Sequence, residues 1–180
     1  KVFLDLLLHE QQKGELKISD QDIRDETSFF IFAGHDTTSS TLTWAVYLLA
    51  SNLEEQEKLH LELDSIFGDN YARTVNASDL HKMKYLECCI KETLRLYPPA
   101  PFFSRKIEKD LILDDKATIP NGTDVLLLPW LTHRLPEFFP EPEKFIPSRF
   151  LPENSVGRHP YAFIAFSGGP RNCMGESFKI

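Results

Sequence analysis

The stretch FSGGPRNCMGE, residues 166–176, holds the residue types best placed to do chemistry. Its pattern is that of a loop feeding a helix, with Cys173 at the junction. Gly168 and Gly169 open backbone angles closed to other residues and let the chain lie flat against something large. Pro170 stiffens the next step. Orphan amides and the positive dipole end of a helix beginning at Cys173 favour a thiolate over a thiol. Gly175 leaves room beside the sulfur, and Arg171 can reach an anionic group on the same ligand. An isolated cysteine is most often an ordinary buried side chain. That reading leaves the flanking glycines and the arginine unexplained. A flat, anionic, iron-containing partner accounts for all of them, and haem is one such group.

Two further groupings could carry chemistry. In AGHDTTSS, residues 33–40, Asp36 supplies a carboxylate and Thr37 a hydroxyl next to it. An acid and an alcohol side by side can relay protons to a bound reactant. Taken alone, Thr37 is more simply a residue that bonds back to its own helix. Glu92 and Arg95 lie three apart and share a helix face. Alone, such a pair is usually a weak surface ion pair. Arg105 is a candidate for an anionic ligand group or for a sheet edge, and His133 is a weaker candidate for the same ligand.

These residues need elements to hold them. SDQD, residues 19–22, has capping-box spacing and opens a helix running to about Ser51. That helix is roughly 45 Å long, enough to cross a domain. Gly34 and Thr37 are expected to loosen its middle. Asn52 is expected to cap a second helix that Gly68 ends near Phe67. A third helix is predicted over 79–97, from Leu80, Met83, Leu86, Ile90, Leu94 and Tyr97, with Pro98 and Pro99 as the stop. Short strands are predicted near 111–113, 117–119 and 125–128, with a turn at Pro120-Asn121-Gly122. Residues 129–160 read as one helical turn and a long packed loop.

Composition excludes several classes. A net charge of −7 over 180 residues argues against nucleic-acid binding. No apolar run reaches the ~18 residues that span a bilayer. Cys88 and Cys89 are adjacent, and three cysteines in all do not make a disulfide framework, so a reducing compartment is expected. The chain reads as an internal fragment, residues 1–180 forming part of one catalytic domain and truncated at both ends.

Phe166, Gly169, Arg171, Cys173 and Gly175 together spell F-x-x-G-x-R-x-C-x-G, which resembles the haem loop of the cytochromes P-450. Glu92 and Arg95 match that family's E-x-x-R, Arg149 its P-x-R-F, and Ala33, Gly34, Asp36 and Thr37 its A-G-x-D-T. The resemblance implies a mainly α fold with a small β region, the C-terminal half of the cytochrome P-450 fold. That half comprises the long distal helix, the E-x-x-R helix, a proline-rich meander loop, the cysteine loop and the start of the proximal helix. It implies haem b, non-covalent apart from a Cys173 thiolate–iron bond that favours O–O cleavage. Arg171 and Arg105 would meet its propionates, and Asp36 and Thr37 would relay protons on the distal side. His35 would be a spacer turned away from the iron. Glu92, Arg95 and Arg149 would form a structural triad.

Gly-His-Asp-Thr-Thr, residues 34–38, and the sequence GRHPYAF, residues 157–163, resemble family 4, the branch of fatty-acid ω-hydroxylases with arthropod members acting on hormones, pheromones and foreign compounds. Many of its members carry Glu where this chain has Ala33. The implied activity is monooxygenation of a lipophilic substrate (fatty acid, terpenoid or xenobiotic) with dioxygen. Electrons would come from NADPH–cytochrome P-450 reductase, with cytochrome b5 as a second donor. The implied location is the endoplasmic reticulum membrane, through an N-terminal anchor outside this chain, with the catalytic domain facing the cytoplasm. Two alternatives stand beside this: a haem-thiolate isomerase or dehydratase acting on peroxides without external electrons, and a non-enzymatic helical interaction module.

Overall fold

The computed structural model describes residues 2–15, 17–70, 72–113 and 116–176. The chain divides into two compact units, Lys1–Ser40 and Thr41–Ile180.

In the first unit, α1 (Phe3–Lys13) ends at Gly14, whose φ of +72° turns the chain out of the helix. The long helix α2 (Asp20–Ser51) begins in this unit. Its start is the expected capping box: the Ser19 amide donates to Asp22 Oδ2 at 2.8 Å, and the Asp22 amide donates to Ser19 Oγ at 3.2 Å. Ile23 is buried, and the Phe3 and Phe30 rings lie 4.4 Å apart. The expected loosening at mid-helix is not a break, because α2 is helical throughout. The hydroxyls there do turn back on the helix. Thr37 Oγ donates to the Ala33 carbonyl at 2.8 Å and Ser39 Oγ to the Asp36 carbonyl at 3.0 Å.

The second unit holds the core. The C-terminal turns of α2 bring Leu48 against Leu59 of α3 (Leu53–Phe67), Cys89 and Leu96 of α5 (Lys84–Leu96), and Phe145. Trp44 stacks on Tyr97 at 3.9 Å, nearly parallel. Asn52 does not cap α3 with its side chain. Its Nδ2 donates to the Leu48 carbonyl at 2.8 Å and so closes the end of α2 instead. Gly68 ends α3 as expected.

The third helix predicted over 79–97 is two pieces, α4 (Ala77–Leu80) and α5. Asp79 causes the split. Its carboxylate accepts from the Asn76 amide and from both terminal nitrogens of Arg73, at 2.6–3.0 Å, so it caps a separate turn. Arg73 also holds the Asp79 carboxyl down at a pKa of about 2. The α5 helix restarts with its exposed amides met from outside. Glu62 of α3 accepts from Tyr85 and Leu86 N–H at 2.6 and 3.0 Å.

Two small antiparallel sheets follow. β1 (Phe103–Lys106) pairs with β4 (Asp124–Leu127), and β2 (Leu111–Leu113) pairs with β3 (Ala117–Ile119). The turn at Pro120–Gly122 forms, with Gly122 at φ +84°. It leads β3 not into a shared sheet but to a strand whose partner, β1, the sequence reading missed. β1 is short and follows three prolines, Pro98, Pro99 and Pro101, so it lacks a full alternating pattern. Beyond it come α6 (Pro129–Thr132) and 3-10 turns at Pro147–Phe150, Pro152–Asn154, Pro160–Ala162 and Gly169–Arg171.

Candidate active site

The best-defined constellation is the buried cluster on α5. Arg95 is wholly buried and its guanidinium has five N–H groups. All five are used: Nε and Nη2 donate to the two Glu92 oxygens at 2.7 and 2.8 Å, Nη1 to the carbonyls of His133 and Pro142 at 2.9 and 2.7 Å, and Nη2 to the Lys144 carbonyl at 3.1 Å. Glu92 Oε1 also accepts from the Ile146 amide and from Arg149 Nε, at 2.9 and 3.1 Å. Arg149 donates onward to the carbonyls of Pro140 and Glu141. Burial pushes the Arg149 guanidinium below its ordinary range, and Glu92 opposes that shift. One carboxylate and two arginines therefore tie six residues of the 133–146 loop, His133, Pro140, Glu141, Pro142, Lys144 and Ile146, to one helix. Such a cluster stabilises only when its members are all paired, as here.

Two residues of this region had no part in the sequence reading of the triad. Arg158 donates to the Arg149 carbonyl at 2.8 Å and lies over the rings of Phe139 and Phe150. His133 is wholly buried, and its Nε2 accepts the Ile164 amide at 2.9 Å. A contact with an anionic ligand at its ring is therefore not what the fold provides. Burial pushes its pKa down to about 4 and keeps the ring neutral. For Arg158 the only sequence signal was its place in GRHPYAF.

The cysteine loop is closed on itself. Cys173 N–H donates to the Phe166 carbonyl at 2.9 Å, and Ser167 N–H to that of Ile164 at 3.0 Å. Phe166 is buried beneath the loop. The two glycines differ in what they do. Gly169, at φ +75°, needs the freedom of glycine, whereas Gly168 is extended and needs space, since a Cβ there would meet the Tyr161 ring at 3.2 Å. A Cβ at Gly175 would lie 3.8 Å from Cys173 Sγ, an ordinary contact, so the sulfur alone does not require glycine there. Arg105 of β1 donates to Ser167 Oγ at 2.7 Å and to the Arg171 carbonyl at 3.3 Å. Arg171 itself is exposed. The turns of the helix expected beyond Glu176 lie outside the described residues.

The three cysteines are unalike. Cys88 and Cys89 are buried, and burial pushes their thiols up to about 11 and 12. Cys173 is unpaired and half-buried, at the edge of a loop with solvent-facing neighbours. In the first unit, Asp36 and His35 are exposed on α2 while Ala33 and Thr37 are half-buried. The fold leaves these as a local group on one helix.

The family model of cytochrome P450 matches residues 1–179. The chain belongs to the cytochrome P450 family. It is 49% identical over 180 residues to cytochrome P450 4V2 of Rattus norvegicus, 47% over 178 residues to cytochrome P450 4c3 of Drosophila melanogaster, and 44% over 178 residues to cytochrome P450 4F12 of Homo sapiens. Each alignment takes in 99% or more of this chain but only 33–34% of the relative, so the chain spans about a third of the length of the curated relatives it matches. The family-4 resemblance is thus shared with vertebrate and insect proteins alike. No helix among the described residues is long and apolar enough to cross a membrane.

The residues present suit a haem. Cys173 is the one described cysteine not sealed in the core, and its amide closes the loop onto the Phe166 carbonyl. Arg105 and Arg171 stand beside it and could meet propionates. Among the described residues no group of three or more His, Cys, Asp and Glu side chains could hold a bare metal ion.

Proposed function

We propose that the full-length protein is a haem-thiolate monooxygenase, with Cys173 as the axial ligand and a lipophilic substrate. The observation that carries this is the state of Cys173: unpaired, half-buried and set at the rim of a closed loop, in a member of the cytochrome P450 family. When bound, the haem supplies the activation of dioxygen, and a thiolate ligand donates electron density to it.

The chain's own residues do the rest. The closed 166–173 loop orients the sulfur, and Gly169 gives the loop its turn. Arg105 and Arg171 balance the charge of the propionates. Arg105 would trade its bond to Ser167 for one to a carboxylate. On α2, Thr37 holds its hydroxyl proton on the Ala33 carbonyl, so a rotation about χ1 turns the same proton toward a reactant. Asp36 is exposed beside it, so its carboxylate can connect the relay to solvent. Glu92, Arg95 and Arg149 take no part in the chemistry and hold the frame. NADPH–cytochrome P-450 reductase, with cytochrome b5 as an additional donor, provides the electrons at the endoplasmic reticulum membrane.

The test is isotopic. The full-length protein, reconstituted with reductase and NADPH, is offered fatty acids and terpenoids under labelled dioxygen. A product carrying one labelled oxygen, formed only with NADPH, is the expected result. Products formed from hydroperoxides without NADPH would place the protein with the peroxide-rearranging enzymes instead.

A further inference from the structure

His133 is among the buried titratable groups that the mechanism leaves unused. His133 is wholly buried, yet it does not belong to the ion-pair cluster except through its backbone, where its carbonyl accepts from Arg95 Nη1 at 2.9 Å. Its side chain points the other way. Nε2 accepts the Ile164 amide at 2.9 Å, and the ring stacks on Phe163 with centroids 5.1 Å apart. Phe163 in turn packs edge-on against Phe150, the neighbour of Arg149. Ile164 is the last residue tied down before the cysteine loop. Its carbonyl accepts the Ser167 amide at 3.0 Å, and one turn on, the Phe166 carbonyl accepts the Cys173 amide at 2.9 Å.

We infer that His133 is the positioning residue that transmits the rigidity of the Glu92–Arg95 cluster to Cys173. The path is continuous and short: α5, the Arg95 guanidinium, the His133 backbone, its imidazole, the Ile164 amide, the cysteine loop. Among the described residues, no side-chain hydrogen bond from Glu92, Arg95 or Arg149 reaches residues 159–176 directly. The imidazole suits this place because it offers a flat acceptor while filling the space against Phe163. Because Nε2 accepts, the ring proton sits on Nδ1, which has no hydrogen-bond partner. A buried polar atom left unmatched costs stability. That cost is consistent with a residue kept for its acceptor, not for stability alone.

The link works only while the ring is neutral. Protonating Nε2 would set an N–H against the Ile164 N–H. The charges acting on the ring are the guanidiniums of Arg95, from α5, and of Arg134, on its own segment. Burial lowers the ring's pKa from 6.5 to about 4. Between those values the unfolded chain takes up a proton that the folded one refuses, so the link's contribution is full above 6.5 and is lost as pH falls toward 4.

The proposal rests on the haem-thiolate reading, and the test separates the two. The full-length holoprotein is compared with H133Q, which keeps an acceptor near the position of Nε2, and H133F, which keeps the ring stack and loses the acceptor. The readout is the CO-bound reduced spectrum, followed in time as the thiolate-type band decays to the form without thiolate. Expected is wild-type behaviour at neutral pH in H133Q and decay about tenfold faster in H133F, the size of one buried hydrogen bond. Should H133F not accumulate, the acid limb decides. The wild-type band is expected to decay faster as pH drops below 6.5, and H133Q to lack that dependence. Equal decay in H133F and wild type, decay in H133Q matching H133F, or identical acid limbs in wild type and H133Q would each overturn the positioning role. A wild-type protein with no thiolate-type band would overturn the haem-thiolate reading and this inference with it.

Discussion

At the residue scale, Thr37 and Ala33 share one face of α2, four positions apart, and are joined by the 2.8 Å bond from hydroxyl to carbonyl. Thr37→Ala removes the hydroxyl from the relay but leaves the helix intact. It is expected to preserve haem content and to lower the ratio of product formed to NADPH consumed by about tenfold or more, the contribution of one positioned proton donor. Unchanged coupling would leave Thr37 as a helix residue only. Ala33 bears on how the haem is held. Where family-4 relatives carry Glu, a carboxylate can become esterified to a haem methyl, and alanine has no oxygen to offer. Acid denaturation and solvent extraction should therefore free all the haem and leave an unmodified polypeptide mass. Ala33→Glu, after turnover, should leave a fraction of the haem bound to the polypeptide. Much of this scale was legible in the sequence, because loop chemistry is written in local spacing: Gly169 at positive φ and the back-bond of Thr37 both follow from neighbours in the chain. His133 was not legible. Its role depends on an amide 31 residues away.

At the element scale, α5 and the loop after it form one mechanical piece. Arg95→Lys retains the charge but offers three N–H donors where five acceptor bonds now exist. Two or more buried acceptors would lose their donors. The expected cost is about 3 kcal/mol or more, measured as a lower midpoint in urea for the full-length protein. A change below about 0.5 kcal/mol would show the cluster to be as weak as a surface pair. The elements themselves were read from the sequence where periodicity was long and caps were plain, as in α2, which runs from the Ser19 cap to Ser51. They were misread where a side chain from elsewhere intervened. The apolar spacing over 79–97 is helical, but Arg73 draws Asp79 into a separate cap and Glu62 supplies a new start at Lys84. β1 went unseen for a related reason: a four-residue strand is defined by its partner, and its partner lies about twenty residues on.

At the scale of the whole molecule, the chain spans about a third of the length of the curated relatives it matches. Phe29, Ile31, Phe32, Leu42, Val46 and Tyr47 on α2 are each more than half exposed. So much apolar surface on one element is uncommon in a protein that stands alone. The 180-residue chain by itself is expected to melt without a sharp transition and to retain no stoichiometric haem. A cooperative unfolding curve with one haem per chain would contradict this. The same surface explains a limit of sequence reasoning here. Hydrophobic periodicity reports which face of α2 is apolar, but not what covers it.

The central claim is that Cys173 is the thiolate ligand of a haem. It is tested most directly by the spectrum of the reduced, CO-bound full-length protein, wild type against Cys173→Ser. The wild type is expected to show the strongly displaced Soret band of a thiolate-ligated haem. The serine variant should lose that band, because an alcohol is a poor ligand for the iron at neutral pH, while Cys88 and Cys89, buried and held protonated, cannot replace it. An unchanged displaced band in Cys173→Ser would contradict the account.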